Sequence, residues 1–193
     1  MHPRRVALPL AVATLIATGG AANAEQERLV DPAGDMWATA ADGTSVPAPG
    51  SSQSDIIRAK VSYQDAKVVV RLAFAKLAKR GSYAQYAVVL QGHRDHLTRE
   101  IVLEAGPGRW AGRARVYKRH GDLVENCPVG HLIDYGADVV RVRVNRACLD
   151  KPGSVRANVN VYRADDSGVF YSDNPHDRLD QSNAWTSWVK RSR

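Results

Sequence analysis

The chain has 193 residues, of which 44% are hydrophobic and 24% charged. That composition buries a core and excludes a disordered tail. With 15 Gly, 9 Pro and only two Cys, collagen-like, low-complexity and disulfide-dense miniprotein classes are excluded too. The formal net charge of +7 suits an anionic surface without demanding one.

The first 24 residues have the form of a secretory signal peptide. Arg4 and Arg5 make a positive start, an apolar stretch from Val6 to Thr18 follows, Gly19 and Gly20 break it, and Ala22-Asn23-Ala24 is a small-residue cleavage site. The apolar stretch is shorter than the roughly 18 residues that span a bilayer. The expected product starts at Glu25, is secreted, and has no transmembrane segment after cleavage. The sequence leaves general secretory and twin-arginine export both open. An exported chain with two cysteines is expected to join Cys127 to Cys148. The alternative is a metal site of Cys127, His131 and Cys148, whose spacing fits no zinc pattern.

Residues 25–54 are rich in Ala, Gly, Pro, Asp and Ser and read as an extended segment, with turn residues at Asp31-Pro-Ala-Gly-Asp35 and Pro47-Ala-Pro49. From residue 55 a period of two sets in. Ile57, Ala59, Val61 and Tyr63 alternate with polar residues, as do Val68, Val70, Leu72 and Phe74 after a short connection at Gln64-Asp65-Ala66. Tyr83 to Gln91 is apolar enough for a central strand. Strands follow around Ile101 and Leu103, Ala114 and Val116, Val140, Val142 and Val144, Val155 to Val161, and Val169 to Tyr171. Single helical turns fit Ala75 to Arg80 and Arg146 to Lys151. Short strands with turn signals every 8–12 residues predict an all-β fold: one antiparallel β-sandwich of eight or nine strands over residues 55–172, then a polar tail over 173–193.

Four groups of residues invite a functional reading. Asp31, Asp35 and Asp55 offer hard oxygens for a structural calcium, although the same residues serve plain turns. His93-Arg94-Asp95-His96 offers imidazoles and a carboxylate at a hairpin tip, where i and i+3 side chains seldom converge. Trp110, Arg113, Arg115 and Tyr117 combine rings with guanidinium groups, which suits stacking on sugar together with anion recognition; the plain alternative is a strand with an Arg-rich solvent face. Trp185 and Trp188 in the tail serve either an interfacial anchor or a last strand tucked onto the sandwich. No nucleophile elbow, zinc-protease motif, phosphate loop or dinucleotide fingerprint is present, so no catalytic residue is assigned.

The strings Asp31-Pro-Ala-Gly-Asp35-Met-Trp37, Ser54-Asp55-Ile-Ile-Arg-Ala, Gly106-Pro-Gly-Arg-Trp-Ala-Gly112 and Arg146-Ala-Cys148-Leu149 resemble an uncharacterised family of small exported proteins of high-GC Gram-positive bacteria. That resemblance implies no activity. The Asp-x-x-Gly-Asp opening that leads into an Asp-Ile strand is also similar, more distantly, to family 9 carbohydrate-binding modules and DOMON-like domains. This implies a jelly-roll-like sandwich and sugar binding. The expectation is a secreted, monomeric, non-catalytic module that binds a glycan or an anionic envelope polymer. It needs no cofactor beyond a structural calcium and has no nucleic acid partner. A small secreted hydrolase and a protein-interaction module or inhibitor are the alternatives.

Overall fold

The computed structural model describes residues 25–93, 97–175 and 185–192. The expected signal peptide, Arg94 to His96 of the histidine turn, and His176 lie outside the described residues. Among those described there are thirteen strands and no α-helix: β1 (Gln26–Val30), β2 (Trp37–Thr39), β3 (Ser45–Pro47), β4 (Ile56–Tyr63), β5 (Lys67–Phe74), β6 (Tyr83–Gly92), β7 (Thr98–Gly106), β8 (Arg109–Lys118), β9 (Val129–Asp134), β10 (Val139–Asn145), β11 (Ser154–Ala164), β12 (Phe170–Asp173) and β13 (Val189–Lys190). No described helix is long and apolar enough to cross a membrane.

The strands form two antiparallel sheets, one ordered β1-β4-β5-β10-β9 and the other β3-β2-β12-β11-β6-β7-β8, with β13 added beside β11. The period of two explains the layering. In β5 the residues Val68, Val70, Leu72 and Phe74 are buried while Arg71 between them is exposed, because successive side chains leave a strand on opposite faces. The same rule buries Val140, Val142 and Val144 from the five-stranded sheet, and Ile101, Leu103, Val159 and Val161 from the eight-stranded one. These side chains meet in one cluster between the sheets, an all-β sandwich. Tyr86 adds its ring edge to Phe74 at 5.7 Å, bridging the two layers.

The strand count exceeds eight or nine because the sandwich recruits short edge segments that carry no clear alternation. β1 pairs with β4 along five residues, and β2 with β3 makes the far edge of the larger sheet. The segment before residue 55 is thus part of both sheets. The tail is also drawn in: Thr186 exchanges two hydrogen bonds with Ala157, and Val189 is buried opposite Val155. Of the two possible helical turns, Arg146–Leu149 forms a 3-10 turn capped by the Asn145 side chain, whereas residues 75–80 form no helix. Cys127 and Cys148 are joined as a disulfide, Cα to Cα 5.7 Å. It fastens the loop before β9 to the 3-10 turn after β10. Both sulfurs are consumed by it, so the Cys127–His131–Cys148 metal alternative is excluded. The His131 ring instead lies beside the Gly112 and Val129 carbonyls.

Candidate functional site

At one end of the sandwich the β5–β6 connection, the β7–β8 turn and the β11–β12 turn come together. Between them lies an open cleft of about 600 Å³ lined by the cations Lys79, Arg80 and Arg163, by the acids Asp165 and Asp166, and by Gln53, Pro107 and Trp110. Trp110 packs on the core side of β8, beside an irregularity of that strand. The β7–β8 register shifts between Glu104 and Gly106. Gly112, at φ +85°, takes up the extra length in a conformation that an L side chain resists. A Cβ there would also press on the side chains of Leu103 and Ile133. One edge of the Trp110 ring rests on Tyr135, centroid to centroid 6.3 Å. The Tyr135 hydroxyl donates to the Trp110 carbonyl at 2.9 Å.

Two of the three cations of the cleft, Lys79 and Arg163, lie against rings. Lys79 Nζ sits 5.4 Å from the centre of the Tyr135 ring. The buried Arg163 guanidinium lies 4.1 Å above the Tyr171 ring. Arg80 and Lys79 are exposed. Of the two acids, Asp165 is committed to its own turn. It accepts from the Ser167 hydroxyl at 2.7 Å and from the Ser167 and Val169 amides, and the Ser167 hydroxyl is the first cause that holds its carboxyl below the usual range. A half-buried indole beside two exposed cations can stack on an apolar ring face while binding an anionic group.

The structure does not bring Trp110 together with Arg113, Arg115 and Tyr117. Ala114 and Val116 pack on the core with Trp110, so the odd-numbered residues between and beside them project from the outer face of the sheet. Arg113 and Arg115 border a separate groove of about 530 Å³ with Glu125, Asn126 and Pro128. Tyr117 stands opposite Glu100 on that outer face. The exposed cations that share the Trp110 cleft are Lys79 and Arg80, which fit a helical turn in the sequence and carry no role there. No local signal joined them to Trp110; only the strand order does.

Elsewhere, Asp31, Asp35 and Asp173 each place a carboxylate oxygen within 4.8 Å of the others. Asp31 lies just after β1, Asp35 just before β2, and Asp173 ends β12. Asp55 is next to this group: its Oδ2 accepts from the Gly34 amide at 2.8 Å, one residue from Asp35. Asp173 Oδ2 accepts from the Ile56 amide at 2.5 Å. Burial, reinforced by the like charges of Asp35 and Asp55, pushes the Asp173 carboxyl up to about 7. Burial also raises Asp55. Asp31, Asp35 and Asp55 were legible as an acidic lead-in. Asp173 was not, because its parity in a four-residue strand was the only clue that it turns inward opposite Val161.

The tail tryptophans flank one guanidinium. Arg156 lies 4.8 Å from the Trp185 ring centre and 4.9 Å from that of Trp188. Its Nε donates to Gln91 Oε1 at 2.7 Å. His93 meets the Trp188 ring edge-on at 4.8 Å.

No protein-family model matches the chain, and no curated protein matches it.

Proposed function

We propose that this protein is an exported, non-catalytic β-sandwich module that binds an acidic glycan or anionic envelope polymer in the Trp110 cleft. The observation that carries the reading is the placement of one half-buried indole beside the exposed Lys79 and Arg80 in a cleft of about 600 Å³. That volume matches the span of one or two sugar rings, within the ordinary range of ligand pockets. The disulfide and the signal-like N-terminus support an oxidising, extracellular setting. Against the hydrolase alternative, one of the two carboxylates in the cleft, Asp165, is committed to hydrogen bonds within its own turn. The Ser167 hydroxyl, first among them, holds its carboxyl below the usual range, whereas a general acid needs a raised pKa.

The test is co-sedimentation of the protein, recovered from an exporting host, with polygalacturonate gel, with teichoic-polymer-bearing wall material and with neutral cellulose. Retention on either anionic matrix that falls steeply with added salt is the expected result. Equal retention on cellulose, or none on any matrix, contradicts the reading.

A further inference from the structure

We propose that Asp31, Asp35, Asp55 and Asp173 hold one calcium ion that ties the N-terminal segment to the inner end of β12. The spacing is the first argument. Calcium takes oxygen ligands at 2.3–2.6 Å, so two ligands on opposite sides of one ion stand about 5 Å apart. Oxygens of Asp31, Asp35 and Asp173 all lie within 4.8 Å of one another, and therefore fit inside a single coordination sphere. These residues come from separate parts of the chain, so the arrangement is a product of the fold and not of one acidic loop.

Asp55 supplies the second, independent argument. It is only 1% exposed. One of its oxygens takes the Gly34 amide, while the other, Oδ1, is buried with no hydrogen-bond partner. A carboxylate oxygen out of water and without a donor is costly unless a cation completes it. The Gly34 amide fixes this carboxylate beside Asp35, and its charge acts directly on Asp173. Three carboxylates within one coordination sphere, with the buried Asp55 held against them by the Gly34 amide, form the all-oxygen donor set of a hard cation, with backbone carbonyls or water filling the remaining positions. The smaller magnesium ion demands a tighter octahedron and keeps more of its water, so the set favours calcium. The role is structural: Asp31 follows β1 in one sheet, Asp35 precedes β2 in the other, and a single ion fastens both edges to β12.

The experiment uses the full chain freed of metal with EDTA and then dialysed free of it. Calcium chloride and, separately, magnesium chloride are titrated in by calorimetry, and thermal unfolding is followed with and without each salt. The expected result is one calcium per chain, an unfolding temperature at least 5 °C higher in 1 mM calcium chloride, and a response to magnesium at least tenfold weaker. Asp173→Asn should lose the calcium response while unfolding in EDTA no earlier than the parent, since it relieves repulsion among the carboxylates. Asp35→Asn repeats the test at a residue that is only partly buried, although its carboxylate oxygens are out of water, and should weaken calcium binding at least tenfold. Absence of calcium binding to a folded parent overturns the site. So does an unchanged calcium response in both variants, or a preference for magnesium.

Discussion

Trp110 carries two burdens, and they can be separated. Its ring packs on the core beside Tyr135, yet it also walls the cleft, so it is neither a full core residue nor a free platform. Fully buried Trp→Ala changes cost ~3–5 kcal/mol; at this half-buried position Trp110→Ala is expected to cost about 2 kcal/mol and to leave the protein folded. Urea unfolding measures the first effect, and sedimentation with an anionic polymer the second, where at least a tenfold loss is expected. A loss of 4 kcal/mol or more with polymer retention intact would make Trp110 a core residue only. Parity alone separates even-numbered Trp110 from Arg113, Arg115 and Tyr117. Grouping the four by proximity in sequence therefore joined two faces of one sheet. What sequence cannot convey is the irregularity beside Trp110, where the register of β7 and β8 shifts and Gly112 adopts a φ of +85°.

At the scale of the element, the long strands were legible and the short ones were not. β5, β7, β10 and β11 each carry a run of alternately buried side chains of at least five residues, enough to fix which side chains meet in the core. β2 and β3 have three residues each, too few for a period, and they are held by pairing with neighbours that lie far away in the chain. β9 was missed for a different reason: its buried Ile133 is flanked by His131, Leu132 and Asp134, of which Leu132 is exposed. Edge strands pack one face weakly, and their sequence records it. The disulfide compensates at this edge. It clamps the β9 side of the five-stranded sheet through Cys127, and the turn it reaches buries Leu149. Closing a loop of this length contributes roughly 3 kcal/mol in the chain-entropy model. Reduction under native conditions should lower the urea midpoint accordingly, and circular dichroism should still report β structure below the new midpoint. A reduced protein as stable as the oxidised one would mean that the edge is held by packing alone.

For the whole molecule, the sandwich places two chemistries apart on one frame. The acidic seam gathers carboxylates from the ends of β1, β2 and β12, while the Trp110 cleft opens between three turns that the frame holds at one end. Loops on a rigid scaffold are where binding residues concentrate, and here each turn contributes part of the lining: Lys79 and Arg80 from one, Pro107 from the second, Asp165 and Asp166 from the third. Residues 185–192 add to the larger sheet beside β11 through Thr186 and Val189, with Arg156 between Trp185 and Trp188, so this part of the tail belongs to the folded unit. The net charge of +7, or +5 once Arg4 and Arg5 leave with the expected signal peptide (27 − 2 − 20), adds a general attraction to anionic polymers that any basic protein would show, and the account stands only if binding is local to the cleft. The measurement that separates the two is polymer affinity for a charge-reversed cleft, Lys79→Glu with Arg80→Glu, beside a control that makes the same charge change at the exposed Arg143 and Lys151. Both variants alter exposed side chains and should fold like the parent. The account predicts that the cleft variant loses at least tenfold in affinity for the anionic polymer while the control loses less than threefold; equal losses in the two would contradict it.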